Sequence, residues 1–222
     1  MGVFVKIRRM DGIAAFDKYA EDYDRWFEKN GPLYRAEIEA IKRFVPDMGF
    51  GVEIGTGTGR FSVPFGIRIG VEPSKNMGRI AKARGISVCR AVGERLPFRD
   101  NQFDFALLVT VVCFVQDAAR LLIEVRRILK RGGKAIVGFI DRESVLGQSY
   151  ESRKDANKFY REARFYSVLD IAALIRQAGF SGLRFCQAIM RLPGSGATEY
   201  EVREGYGEGA FVAVSSEKTA KK

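Results

Sequence analysis

Apolar positions in the first part of the chain follow a helical period. In "IAAFDKYAEDYDRWFEKN", residues 13–30, aromatic rings recur at Phe16, Tyr19, Tyr23, Trp26 and Phe27 with acids and lysines between them. That spacing predicts an amphipathic helix or a helix pair. Gly31 and Pro32 interrupt it, and Pro32 suits the first turn of a second helix that carries Leu33, Ile38, Ile41 and Phe44 and stops at Pro46.

From residue 50 the pattern becomes strand, turn, helix, repeated. "FGVEIG", "IRIGVE", "ISVCRAV" and "KAIVGFI" read as short apolar strands, and "FDFALLVTVVCFV" opens as a buried one. "SKNMGRIAKARG" reads as a helix ended by Gly85, and "DAARLLIEVRRILKRGG" as an amphipathic helix closed by a glycine pair. Such alternation predicts a doubly wound α/β fold, a largely parallel sheet with helices on both faces.

The stretch from 141 to 166 is too polar for a core strand and too long for a plain connection, which marks it as a lid or binding loop. "SVLDIAALIRQAGF" then makes a helix. "GLRFCQAIMRL" and "GAFVAVSS" make two strands, separated by a glycine-rich loop, that pair antiparallel at one sheet edge. The charged end "EKTAKK", 217–222, is expected to be disordered.

With 222 residues, 46% of them hydrophobic, the chain is expected to form one catalytic or binding domain over 47–216, preceded by a helical cap over 1–46. No apolar run approaches a membrane span and the first residues lack a signal-peptide core, so a cytoplasmic location is expected. Cys89, Cys113 and Cys186 are far apart without paired spacing and read as reduced core residues. The complete absence of histidine excludes histidine triads and histidine-ligated zinc, and no metal is expected. Net charge is +10, but acids stand beside bases almost everywhere, and the densest basic run, Arg126 to Lys134, falls where a helix is predicted to end. A solvated helix end and a nucleic-acid patch are both consistent with it.

"VEIGTGTGRF" sets Gly55, Gly57 and Gly59 at every second position behind the first strand, where bare backbone lets a ligand approach. The spacing differs from the Gly-x-Gly-x-x-Gly of dinucleotide binders. Glu72, at the tip of the next strand, offers a carboxylate to a ribose diol, or caps the helix that follows.

Taken together, "VEIGTGTGRF", "GVEPS", "GERLPFRDNQFDFALLVTVVCFVQDAARLLIEVRRILKRGGKAIV" and "YSVLDIAALIRQAGF" resemble the class I S-adenosylmethionine-dependent methyltransferases, most closely their small-molecule branch. The resemblance runs from about Phe16 to Val214. It implies a Rossmann-like seven-stranded sheet, mostly parallel with the last strand antiparallel. It implies S-adenosylmethionine as cofactor, Gly55, Thr56 and Gly57 around its methionine portion, and Glu53 organising that loop. Glu72 would take the ribose, with Pro73 and the stretch Ser74 to Met77 flanking the adenine and Met77 as its apolar contact. Gly93 and Glu94 would meet the adenine edge, and Thr110 the amino group.

The chain departs from the family in two places. Val92 stands where many members have an aspartate for the adenine amino group, leaving backbone or Glu94 to serve, and Cys113 and Phe114 stand where many have two histidines. The aromatic first helix and the 141–166 segment are expected to form a lid, with Tyr19 and Tyr23 on the cofactor side and Phe114, Tyr150 and Tyr166 around the acceptor. The same rings could equally be packed core.

Methyl transfer is an in-line displacement in which positioning supplies most of the acceleration. A base matters less for a free amine than for an alcohol, so the missing histidines favour a nitrogen acceptor, and no catalytic residue is singled out. The expected function is methyl transfer to a small molecule at N or O. An RNA- or protein-directed methyltransferase is the alternative, followed by a Rossmann-type oxidoreductase or a non-catalytic binding module. Nucleic acid is not favoured: there is no Pro-Cys nucleophile pair, and "TVVCF" replaces the turn of base exocyclic-amine methyltransferases.

Overall fold

The computed structural model describes residues 11–191 and 199–219. Three helices come first: α1 (Asp11–Lys18), α2 (Ala20–Lys29) and α3 (Gly31–Lys42). Then follow β1 (Gly51–Ile54), β2 (Ile69–Val71), α4 (Lys75–Ala83), β3 (Ser87–Cys89), β4 (Phe103–Val109), α5 (Ala118–Ile128) and β5 (Leu129–Ile140). The remainder comprises α6 (Val145–Arg153), α7 (Val168–Gln177), β6 (Ser181–Arg191), β7 (Glu199–Glu204) and β8 (Phe211–Glu217).

The strands form one mixed sheet in the order β3-β2-β1-β4-β5-β8-β6-β7. β1 to β5 pair in parallel, β8 is antiparallel to both β5 and β6, and β7 is antiparallel to β6. The sheet therefore has eight strands, not the seven expected. The added strand, β7, lies inside the stretch that reads as a glycine-rich connection. Its Tyr200 and Val202 pack against the core on the α3 side of the sheet, while Glu201 and Arg203 pair with each other at 2.9 Å. That is the strict alternation of a half-buried strand.

Both faces are covered for the reason the periodicity gives. Beyond a register shift between Phe103 and Phe105, β4 sends Ala106 and Leu108 to the side of α5 and α7, and Phe105, Leu107 and Val109 to the side of α3. Asp117 caps α5 by accepting from Arg120 N at 2.9 Å, and Leu121, Leu122, Val125 and Ile128 form its buried stripe. Ser167 and Asp170 close a capping box at the start of α7.

The α5–β5 boundary differs from expectation. The helix stops at Ile128, and Leu129, already extended at ψ 142°, pairs with Phe103, so no loop separates the two elements. The basic run is thereby divided between helix and strand, and parts of it are neutralised within the fold: Arg127 pairs with Glu124 at 2.9 Å and Lys130 with Asp104 at 2.8 Å.

Of the expected tail, Glu217 closes β8 and Lys218 donates to the Leu129 carbonyl at 2.6 Å and to Asn101 Oδ1 at 2.8 Å. Residues 220–222, and the first ten residues of the expected cap, lie outside the described residues. Cys113 and Cys186 are buried and Cys89 half-buried, all as free thiols. No helix among the described residues is long and apolar enough to cross a membrane.

Candidate functional site

The glycine loop leaves β1 with positive φ at Gly55 (72°), Gly57 (54°) and Gly59 (85°). A Cβ at Gly55 would come within 2.5 Å of Val111, and one at Gly59 within 2.4 Å of Ile86. Those two glycines are required by packing. A Cβ at Gly57 would meet only the Tyr23 ring, at 3.7 Å, so Gly57 is the glycine of the loop that packing does not require.

A buried trio lies beneath the loop. Thr56 Oγ1 donates to Glu53 Oε2 at 3.0 Å and lies 2.8 Å from Ser62 Oγ, which itself hydrogen-bonds Glu53. Burial pushes the Glu53 carboxyl up to about 8, against the pull of the Ser62 and Thr56 hydroxyls. Thr56 thus turns its side chain toward Glu53 rather than into the cleft, and the pair shapes the loop from behind.

Glu72 follows β2 and lines the cleft. Its Oε2 accepts from Gly57 N at 2.9 Å and its Oε1 from Ser74 N at 2.8 Å. Burial raises its pKa to about 7, with those two N–H groups resisting the rise. One carboxylate therefore ties the glycine loop to the turn before α4. Pro73, Met77, Gly93, Glu94 and Thr110 line the same cleft, as do Gly55 and Tyr23. Glu94 Oε1 accepts from Gln116 N at 2.8 Å, whereas its Oε2 is buried and has no hydrogen-bond partner among the described residues.

A second cavity, of about 570 Å³, adjoins the first, and Phe16, Tyr23, Thr110 and Phe114 belong to the walls of both. Thr110 reaches that junction with a backbone φ of 52°. Tyr150 lines the second cavity together with Trp26, Phe27, Phe61 and Tyr160. Phe16 packs edge-on to Phe114 (4.9 Å between centroids) and stacks on Phe159 (5.2 Å), bringing α1 and the 141–166 segment together above the junction.

Two expected site residues lie elsewhere. The Tyr19 ring is not in the wall of either cavity; it meets Lys158 Nζ at 4.1 Å and the edge of Phe159. Tyr19 sits at the break between α1 and α2, which turns it away from the face that Tyr23 presents. Tyr166 is also outside both walls, buried in the core beside α7. One residue was not anticipated: Glu37 of α3, 5% exposed, lines the second cavity. Burial alone pushes its carboxyl up to about 8.

The first two helices are fastened to the sheet side by acids. Asp17 Oδ1 accepts from Ser74 Oγ (2.8 Å) and Asn76 N (2.9 Å), and Asp24 is gripped by Arg60 and Arg84. Burial alone would raise the Asp24 pKa, but the hydrogen bonds from Arg84 and Arg60 outweigh it and hold the group well below the usual carboxylate range.

Comparison with known proteins gives concordant matches. A family model described as "Methyltransferase domain" matches residues 52–137. An uncharacterized protein of Methanocaldococcus jannaschii is 50% identical over 91% of this chain and 98% of its own length. A crystal structure from Thermotoga maritima, described as a SAM-dependent methyltransferase and "possible histamine N-methyltransferase", is 46% identical, with a TM-score of 0.89 over 94% of this chain and 100% of that one. The Haemonchus contortus phosphoethanolamine N-methyltransferase 2, solved with S-adenosylhomocysteine, shares the fold at 16% identity, with a TM-score of 0.61 over 95% of this chain and 58% of that one.

Proposed function

The chain belongs to the class I S-adenosylmethionine-dependent methyltransferase family, and on that premise we propose that it methylates a small-molecule acceptor, at nitrogen in preference to oxygen. The observation that carries this is the pair of adjoining cavities with a shared wall at Phe16, Tyr23, Thr110 and Phe114. One side offers carboxylates; the other is enclosed by aromatic rings.

The residues of the first cleft suit the cofactor. Glu72 is a buried acceptor for a diol, the orphaned Glu94 Oε2 suits the adenine amino group where Val92 cannot serve, and Met77 supplies an apolar wall. Gly57 leaves room for the amino-acid end. When bound there, S-adenosylmethionine supplies an activated methyl group. The protein's own part is to orient the acceptor through the shared wall and to exclude water with the rings of α1, α2 and the 141–166 segment, which act as a lid.

A nitrogen acceptor is supported by the absence of histidine and by the description of the Thermotoga relative as a possible histamine N-methyltransferase. The cavity under the three N-terminal helices carries nine rings in its wall beside charged residues, which suits a small molecule with an apolar body and a polar group better than a polymer. Calorimetric titration with S-adenosylmethionine, S-adenosylhomocysteine and NADH tests the reading. Micromolar binding of the first two alone is expected; binding of NADH in their place would overturn it.

A further inference from the structure

Glu37 breaks the pattern of its own helix. Leu33 and Ile41 stand one turn to either side, and Ala36, Ala40 and Ile41 are fully buried, so position 37 belongs to the apolar face of α3. The side chain there is nevertheless a carboxylate at 5% exposure. Among the described residues no donor hydrogen-bonds it and no Lys or Arg pairs with it. Three cations also line this cavity: Lys158 pairs with Asp22 at 2.6 Å, Arg25 pairs with the same Asp22, and Lys29 stands in the wall, none of them within ion-pair distance of Glu37.

A nearly buried carboxylate with no protein partner is costly, and its oxygens are left to the cavity and to whatever fills it. What completes this one can be read from its surroundings. Trp26, Phe27 and Phe61 contribute ring walls to the same cavity, as do Tyr23, Tyr150 and Tyr160. Aromatic walls around one acid make a box for a cation. A bound cation favours the ionised carboxylate that burial disfavours, which neither an anion nor a neutral alcohol does.

We propose that Glu37 is the acceptor-recognition residue and that the acceptor is a small organic amine, held through its ammonium group by the Glu37 carboxylate within the aromatic box. This rests on the methyltransferase reading of the two cavities and narrows it to a substrate class. The role is one of binding: methyl transfer needs a nitrogen lone pair, so the nitrogen that reacts is either a second one in the acceptor or the same one after its proton has passed to solvent water, and Glu37 is not assigned as the base.

Trp26 is the sole tryptophan and lines the same cavity, so its fluorescence reports occupancy directly. Phenethylamine, hexylamine and cyclohexylamine are titrated against phenethyl alcohol, hexanol and cyclohexanol, with Glu37→Gln and Glu37→Asp alongside the wild type. At least one amine is expected to bind about tenfold or more tightly than its alcohol twin. Glu37→Gln should abolish that preference and Glu37→Asp should retain part of it. If no amine outbinds its alcohol, or if the preference survives in Glu37→Gln, the proposal is wrong. Titration of the same wild-type sample with S-adenosylhomocysteine separates the two ideas. Cofactor binding without amine preference sinks only the role of Glu37, whereas amine preference without cofactor binding sinks the methyltransferase reading and leaves the amine site.

Discussion

Arg84, at the end of α4, sets one guanidinium nitrogen against each carboxylate oxygen of Asp24 in α2, both at 2.7 Å. Arg60 reaches the same carboxylate at 2.9 and 2.8 Å, directly after the last glycine of the loop. Bidentate contacts of this kind fix angle as well as distance. The helix that contributes Tyr23 to the cleft is thus registered against the loop that contributes Gly57.

Removing Asp24 leaves two part-buried guanidinium groups facing each other. Asp24→Ala is expected to lower stability by about 3 kcal/mol, read as the shift in urea midpoint. Because the folded pKa of Asp24 lies below the unfolded one, its contribution is complete above about pH 4 and fades as the pH falls through the folded value. A variant as stable as the wild type at pH 7 would show that α2 is held by its rings alone.

Glu37 has the opposite sign. It titrates near 8 when folded, against about 4.3 in an unfolded chain, so between those values the unfolded state holds fewer protons and stability falls as the pH rises. Above the folded pKa the contribution is level. Glu37→Gln should therefore gain over the wild type at pH 8 and hardly at pH 4. Glu53, also raised to about 8, and Glu72, raised to about 7, keep part of the slope in the variant. Urea midpoints across the range decide it; parallel profiles for the two proteins would mean that Glu37 is solvated.

Gly70, in β2, lies behind the loop. A Cβ there would fall 2.6 Å from Thr56 Cγ2, pressing on the side chain whose hydroxyl meets Glu53 and Ser62. Gly70→Ala is expected to cost about 1–3 kcal/mol in stability and to weaken S-adenosylhomocysteine binding, with every cleft-lining residue unchanged. Undiminished affinity in calorimetry would show that the trio beneath the loop has no say in the geometry above it.

Glu72→Ala removes a proposed ribose acceptor and releases Gly57 N and Ser74 N together. A loss of about 1.5–3 kcal/mol in S-adenosylhomocysteine binding is expected. Calorimetry against the wild type measures it, and equal affinities would place the ribose elsewhere.

The parallel half of the sheet was legible because β1, β2, β4 and β5 are apolar runs separated by helical periods and ended by turn residues. β7 was not, because two inward residues, Tyr200 and Val202, are a weak signal beside the glycines at 205, 207 and 209. Tyr19 and Tyr23 share a helical period in the sequence, yet the break at Tyr19, with φ −116° and ψ 30°, sets them on different faces. Glu37 escaped notice because an acid in an amphipathic helix ordinarily marks the solvent side. The clue was positional: Leu33 and Ile41, four residues away on either side, put it on the apolar stripe. Tyr166 is the last residue of the expected lid, but it packs into the core beside α7.

Thr110 holds its backbone at φ 52°, a left-handed conformation that a β-branched residue adopts only under constraint, and it does so where the two cavities meet. An engineer seeking a hardier protein would be drawn to glycine at this position, which relaxes the backbone. The same change would strip the hydroxyl and methyl from the wall that the two cavities share. On the proposed function, durability and turnover are therefore set against each other at one residue, and screening for heat resistance alone would select against methyl transfer.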